Sequence, residues 1–264
     1  MVGWIYALPI ERAAAECILD EKHESPTHLH PSDHNQYVLG NIGPHNVAIT
    51  CLPAGTHGTT SAAAVSQQML SGFPNIRFGL VVGIGGGIPS ADRDIRLGDV
   101  VISQPGGKAL HGGQFEWTGK LDAPPPILLN ALSTVQSKHL GKGIKFRNYL
   151  DEFTQKYPQF SPPGQHQHQD QDVLYASPDG GDGGGGEKET IVSRPARAGS
   201  RPVAHYGLVA SGNQVIKAAS MRDKLKGDLG DVFCVEMEAA GLMNNFPCLV
   251  IRGISDYANH HKND

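Results

Sequence analysis

The 264-residue chain has no apolar run near the ~20 residues that a bilayer-spanning helix needs. Nor does it open on a basic segment leading into an apolar stretch, and Pro9 and Glu11 arrive too early for a signal peptide. A membrane protein is therefore not expected, and a cytoplasmic location is. Strong charge of either sign is also missing: the formal net charge is −4, with no basic surface to hold nucleic acid and no acidic tail. Cysteine is sparse. Cys17, Cys51, Cys234 and Cys248 are widely spaced and three of them lie in apolar runs, so they read as buried thiols of a reducing compartment. That spacing excludes a disulfide framework or a zinc site, and no metal is expected.

Hydrophobic content is 39%, low for a globular chain, and one segment accounts for the deficit. Residues 157–202 are rich in Pro, Gln, His, Asp and Gly, and include Gly180-Gly-Asp-Gly-Gly-Gly-Gly186. Such a composition buries too little apolar surface to offset its ordering entropy, so it reads as a disordered surface insertion. His166 and His168 within it could bind a metal, but a solvated histidine-rich tract explains them as well.

The rest of the chain alternates apolar strand-like runs with helix-forming stretches. Residues 2–8 read as a strand ended by Pro9, and 10–21 as a helix. Residues 37–42 and 46–52 read as a hairpin across Gly43-Pro44, and 59–70 as a helix. Strands follow at 78–84 and 97–103, a helix at 126–140 behind a triple proline, a strand at 205–212 and a helix from about 214. Buried strands alternating with helices imply an α/β fold whose central sheet is mixed, mostly parallel and covered on both faces. A single domain over 1–264, interrupted by the insertion, accommodates all of it.

Three acidic residues are candidates for chemistry. Glu11, two residues after Pro9, is either a helix-start acid favoured by the macrodipole or an acid turned back over the carboxyl end of the first strand, where open α/β sheets bind ligands. Glu238 lies in a run that reads as helix, and Glu236, two residues earlier, would then face the other way into solvent. Asp256 follows the apolar run 248–254 at the point where a strand ends, where it is either a helix cap or a site acid. The run Gly83-Ile-Gly-Gly-Gly-Ile88 lets backbone N–H groups approach a ligand, or makes a tight turn. It is not a dinucleotide fingerprint, because Pro89 and a polar stretch intervene before any helix.

Six motifs in order carry a resemblance to a known family: Ala7-Leu-Pro-Ile-Glu11, Gly83-Ile-Gly-Gly-Gly-Ile-Pro89, Leu97-Gly-Asp-Val-Val101, Val209-Ala-Ser-Gly-Asn213, Val235-Glu-Met-Glu-Ala-Ala-Gly241 and Arg252-Gly-Ile-Ser-Asp-Tyr-Ala258. Together they resemble the nucleoside phosphorylase and nucleosidase superfamily, in particular the fungal-type domains found alone or attached to larger sensor proteins. The resemblance implies a three-layer αβα sandwich that cleaves the N-glycosidic bond of a purine nucleoside. It implies that Asp256 protonates or hydrogen-bonds purine N7, a role that asks for a carboxylic acid able to hold a proton near neutral pH. Glu238 would accept the ribose hydroxyls and stabilise the oxocarbenium-like sugar. Met237 would line the sugar, Ser211, Gly212 and Asn213 would border the base, and Gly85 and Gly86 would approach the ribosyl or nucleophile side. Glu11 would be the base toward water in a nucleosidase.

A phosphorylase would take inorganic phosphate as co-substrate and hold it with arginines around the glycine run and the first turn. Residues 80–82 offer none, Arg12 should project away, and Arg77 lies at the far end of its strand, so hydrolysis without a cofactor is favoured. Val215 and Asn213 depart from residues frequent in the family, a phenylalanine and an aspartate. The chain stops at Asp264 where the family usually begins a closing helix, which keeps a third reading open: a catalytically degenerate nucleoside-sensing module of a receptor-type protein. The expected partners are a small-molecule nucleoside and further copies of the chain as a homo-oligomer.

Overall fold

The computed structural model describes residues 1–26, 28–105, 108–109, 115–116, 123–142, 146–160, 172–176, 190–197 and 202–259. The chain opens on β1 (Val2–Tyr6), buried along its whole length, and turns at Pro9 into α1 (Pro9–Cys17). Proline suits this place, because its fixed φ is helical and its missing N–H is one that a helix start leaves unpaired. An edge strand β2 (Glu21–His23) precedes the hairpin of β3 (Tyr37–Ile42) and β4 (His45–Cys51), whose register runs from Ile42 opposite His45 to Tyr37 opposite Thr50. Then follow α2 (Thr59–Gly72), β5 (Phe78–Gly87) and β6 (Val100–Ser103). Strands β7 (Lys108–Ala109) and β8 (Phe115–Glu116) pair only with each other. Helices α3 (Pro126–Lys142) and α4 (Phe146–Lys156) precede β9 (Ala204–Ser211), α5 (Ala219–Leu229), β10 (Val232–Glu236), α6 (Ala239–Leu242) and β11 (Cys248–Asp256).

The other nine described strands make one mixed sheet in the order β10-β9-β6-β11-β5-β1-β4-β3-β2. The central pairs β4/β1, β1/β5 and β5/β11 are parallel, as are β6/β9 and β9/β10, while β6/β11 is antiparallel. The α/β class and the mixed sheet agree with the sequence pattern. One feature goes beyond it: β10 also pairs antiparallel with β5, so β5, β11, β6, β9 and β10 close into a ring.

Period-two alternation along β1 sends its side chains to two cores. Ile5 joins Ala48, Val81 and Val250 under Ala62, Val65 and Met69 of α2 and Leu242 of α6. Val2, Trp4 and Tyr6 face the other way and pack with Val47, Ile49, and Ala15 and Leu19 from the α1 side. Phe246, fully buried, lies across β1 and β5 where Gly3 and Gly79 leave room for its ring. Truncating such a phenylalanine to alanine costs about 3–5 kcal/mol.

Four expectations need correction. The helix expected over 10–21 ends at Cys17, and Glu21 already belongs to β2. The helix expected from about 214 begins at Ala219, and the strand expected from 97 begins at Val100. The segment 157–202 is not wholly apart from the fold. Leu174 is buried, and Tyr175 bridges Ile191, with Ala176 N–H donating to Thr190 O at 2.9 Å and Val192 N–H to Leu174 O at 2.8 Å. Charge rather than apolar area ties these pieces down. Arg197 reaches both Asp94 and Asp99, and Arg194 pairs with Asp172 at 3.0 Å. His166 and His168 lie outside the described residues. Among the described residues no helix is long and apolar enough to cross a membrane, and no cluster of His, Cys, Asp and Glu could hold a metal.

Candidate active site

The candidate acids meet at the carboxyl ends of β1, β5, β10 and β11. Glu11, in the first turn of α1, folds back over the end of β1. Its Oε2 accepts the Ala7 and Leu8 N–H groups at 2.8 and 2.9 Å, and its Oε1 accepts the Ile84 N–H of β5 at 2.8 Å. An ionised carboxylate has about four lone-pair sites, so three backbone donors fix its plane and leave room for one more partner. Arg12, one residue on, points away and pairs with Glu16 at 2.6 Å.

Arg252, in the middle of β11, lies opposite Gly83 of β5 and is only 2% exposed. Its Nη2 pairs with Glu236 and, at 3.2 Å, with Glu238 Oε2, while Nη1 donates to Ile84 O at 3.3 Å. A Cβ on Gly83 would run into Glu11 Oε1 and stand 2.6 Å from Arg252 Nη1, so this glycine is where the two charged groups pass each other against β5. Burial works against the Arg252 charge, but Glu236 and Glu238 more than offset it and hold the guanidinium protonated.

The reading of residues 236–238 as helix is corrected here. Glu236 ends β10 and Glu238 stands just before α6, and the bend between them brings both side chains to the same guanidinium. Both glutamates are buried on Arg252, and neither is solvated. Glu236 also accepts the Glu238 N–H at 3.1 Å and the Ala239 N–H at 3.0 Å, which ties its carboxylate to the start of α6. Burial pushes the Glu238 carboxyl above the ordinary glutamate range. Arg252 pulls it down, and the charges of Glu236 and Glu11 push it further up. Cys248, buried on the same strand as Arg252, has its thiol pushed up to about 12 by desolvation and by Glu236, and is an inert packing group.

Asp256 ends β11 opposite Gly86. Its Oδ1 accepts the Ala258 N–H at 2.8 Å and its Oδ2 accepts the Ser255 hydroxyl at 3.0 Å. The glycine run also makes room for close packing within the sheet. A Cβ on Gly85 would meet Cys234 Sγ at 2.6 Å and Val235 O at 2.9 Å, and one on Gly86 would meet Ala258 Cβ and Asp256 Oδ1 at 3.0 Å. The space in front of Gly85 and Gly86 is taken by β10 and β11 of the same chain. These glycines let Asp256 and the end of β10 close on β5.

Ser211, Gly212 and Asn213 leave the end of β9. Ser211 Oγ accepts the Ala240 N–H at 2.9 Å, and the Gly212 N–H donates to Glu236 O at 3.1 Å, so the end of β9 is tied to α6 and to the end of β10. Asn213 has a structural partner far along the chain: its Oδ1 accepts Thr59 N–H at 2.8 Å and Thr59 Oγ1–H at 3.0 Å, capping α2. The α2 N-cap residue itself is Gly58, whose φ of +89° suits glycine and which has no side chain to cap with. Met237 is half-buried between the two glutamates, and Val215 is 43% exposed, as is Ile84.

Arg252 is the functional residue that sequence reasoning did not single out. The signal was available: it is the one charged residue inside the otherwise apolar run 248–254, and a charge buried in a strand needs partners.

Among solved structures the chain is similar to 5'-methylthioadenosine/S-adenosylhomocysteine nucleosidases. The one from Neisseria meningitidis, in complex with methylthio-immucillin-A, has a TM-score of 0.59 at 15% identity over 99% of this chain and 87% of that one. The S-adenosylhomocysteine nucleosidase of Streptococcus pyogenes, in complex with 5-methylthiotubericidin, has a TM-score of 0.58 at 17% identity over 99% and 86%. The S. pneumoniae nucleosidase with the transition-state inhibitor MT-ImmA has a TM-score of 0.56 at 20% identity over 98% and 86%. No protein-family model matches the chain. A nucleotide-binding leucine-rich repeat (NLR)-like protein of Hyaloscypha variabilis is 45% identical over 279 residues and covers 99% of this chain, which spans 27% of that protein's length. The chain has the fold of these nucleosidases.

Proposed function

From that fold, we propose that the chain is an N-glycosyl hydrolase that cleaves a purine nucleoside to free base and ribose with water. The observation that carries this reading is the buried Arg252 cluster. Its guanidinium is already matched by Glu236 and Glu238, with Glu11 beside it at Gly83. Three acidic side chains against one guanidinium leave no unmatched positive charge there for a phosphate dianion. A developing ribosyl cation is stabilised there, whereas a phosphate dianion is opposed by about 3 kcal/mol for each pair of like unit charges at ~5 Å and an effective dielectric of ~20.

In this mechanism Asp256, presented beside Gly86, supplies a proton or hydrogen bond to N7 as the bond to the sugar breaks. Glu238 accepts the ribose hydroxyls, and its charge faces the oxocarbenium-like carbon. Glu11 uses its remaining acceptor site to orient the attacking water and take its proton. Exposed Ile84 and Val215 offer apolar surface near the base or the 5' substituent. The structural neighbours are named for methylthioadenosine and S-adenosylhomocysteine, so these two join adenosine, inosine and guanosine as candidate substrates.

A second reading has its own support, because the 45% identical relative is an NLR-like protein of which this chain spans 27%. The domain would then bind a nucleoside within a larger receptor, without turning it over. Chromatography of the five nucleosides incubated with the chain separates the readings. Release of free base supports the hydrolase. Binding measured by calorimetry with no base released from any of the five supports the sensing module and refutes the hydrolase.

A further inference from the structure

Asp256 is followed by the one described non-glycine residue with positive φ, Ala258 at +50°. Such a conformation costs an alanine about 1 kcal/mol or more and persists only where its surroundings impose it. The N–H of the same residue donates to Asp256 Oδ1 at 2.8 Å, so the turn that carries this conformation also holds the Asp256 carboxylate. The residue between them, Tyr257, is 3% exposed and held at three points. Its hydroxyl donates to Asp172 Oδ1, its ring lies 5.1 Å from the Arg194 guanidinium, and its carbonyl accepts from Arg222 Nη1 at 3.4 Å. Arg194 and Asp172 are themselves joined, with Arg194 Nη2 3.0 Å from Asp172 Oδ1 and donating to Asp172 O at 2.8 Å. Arg194 Nη1 reaches Ile95 O at 3.2 Å, and Arg222 Nη2 reaches Tyr175 O at 3.2 Å. Asp172, Tyr175 and Arg194 all belong to the polar segment between α4 and β9.

We propose that Asp172 and Arg194 are positioning residues that act through Tyr257 to hold Asp256 in its working orientation. The polar segment thereby becomes part of the catalytic apparatus although none of its described side chains need touch substrate. The proposal rests on the reading of Asp256 as the acid. Tyr257→Phe tests it, because it keeps the ring under Arg194 and removes only the hydroxyl on Asp172. Two measurements on the full chain judge it. Amide hydrogen exchange at Ala258 should accelerate in Tyr257→Phe while exchange in the β1 and β5 core stays unchanged. Turnover should fall about tenfold with KM within about twofold, as expected of a displaced catalytic group. In the Asp256→Asn background the same change should have no further effect, because a residue acting through Asp256 has nothing left to position. Unchanged Ala258 exchange overturns the clamp itself, and losses that multiply in the double variant overturn its action through Asp256. Full activity of Asp256→Asn alone overturns the acid reading and with it the catalytic half of the proposal; the exchange measurement then still shows whether the clamp exists.

Discussion

Replacing Glu238 by glutamine should separate function from stability at one residue. The substitution keeps shape and acceptor and removes one charge from the pocket. At ~4 Å and an effective dielectric of ~20, a carboxylate and a developing cation attract by about 4 kcal/mol, or roughly 10³ in rate. Glutamine still accepts from a ribose hydroxyl, so the expected loss of turnover is about 10². Stability should move differently. Burial, reinforced by Glu236 and Glu11 and opposed by Arg252, raises the Glu238 carboxyl above the ordinary glutamate range. A carboxyl raised on folding contributes stability in its protonated form. That contribution is full below the unfolded value and is lost as pH climbs through the folded one. Wherever the pH lies above the folded value the parent has lost it, and the neutral glutamine has not. Arg252 keeps its pair with Glu236 in the variant. Glu238→Gln should therefore be at least as stable as the parent at pH 7 while losing turnover. Urea denaturation and steady-state kinetics on the same preparation decide the matter. A loss of more than about 2 kcal/mol with turnover retained would refute the reasoning and make Glu238 a structural partner of Arg252.

Asp99, 1% exposed, accepts from Arg197, from the Val203 N–H at 2.8 Å and from the Arg96 N–H at 2.9 Å, and lies 2.8 Å from His205 Nε2. Burial opposes its charge, but His205 and Arg197 hold its carboxyl down at about 2. The resulting stability, about 2 kcal/mol, is present above the ordinary aspartate value and is lost as pH falls toward 2. Asp99→Asn should lose at least that much at pH 7 and flatten the acid limb of stability against pH; a variant whose acid limb matches the parent's would contradict this. Asn213→Ala should lower stability by about 1 kcal/mol, read as a lower urea midpoint at unchanged m, because it uncaps α2, with KM changed less than twofold. A large rise in KM without loss of stability would instead return Asn213 to the base.

Much of this arrangement is written locally in the chain. Pro9 starts α1 and places Glu11 over the end of β1 within a few residues. The β3–β4 hairpin is marked by Gly43-Pro44, and the ends of β5 and β11 by Gly83–Gly87 and by Asp256 after an apolar run. What escaped local reading depends on partners far along the chain. Val235-Glu-Met-Glu-Ala-Ala240 has the composition of a helix, yet pairing with β9 and β5 draws its first residues into a strand and turns both glutamates onto Arg252. Asn213 caps a helix that starts 154 residues earlier. The polar segment between α4 and β9 is poor in apolar residues as a whole, but Asp172, Arg194 and Arg197 are enough to tie its described pieces to β11 and to the start of β6.

Water, not phosphate, is expected to receive the sugar at a site whose one buried guanidinium among the described site residues, Arg252, is already matched by Glu236 and Glu238. The most direct test of hydrolysis is base release from a purine nucleoside in phosphate-free buffer, repeated with phosphate added and the sugar product identified. Equal rates and free ribose are expected in both. Base release that begins only with phosphate, yielding ribose 1-phosphate, would contradict hydrolysis.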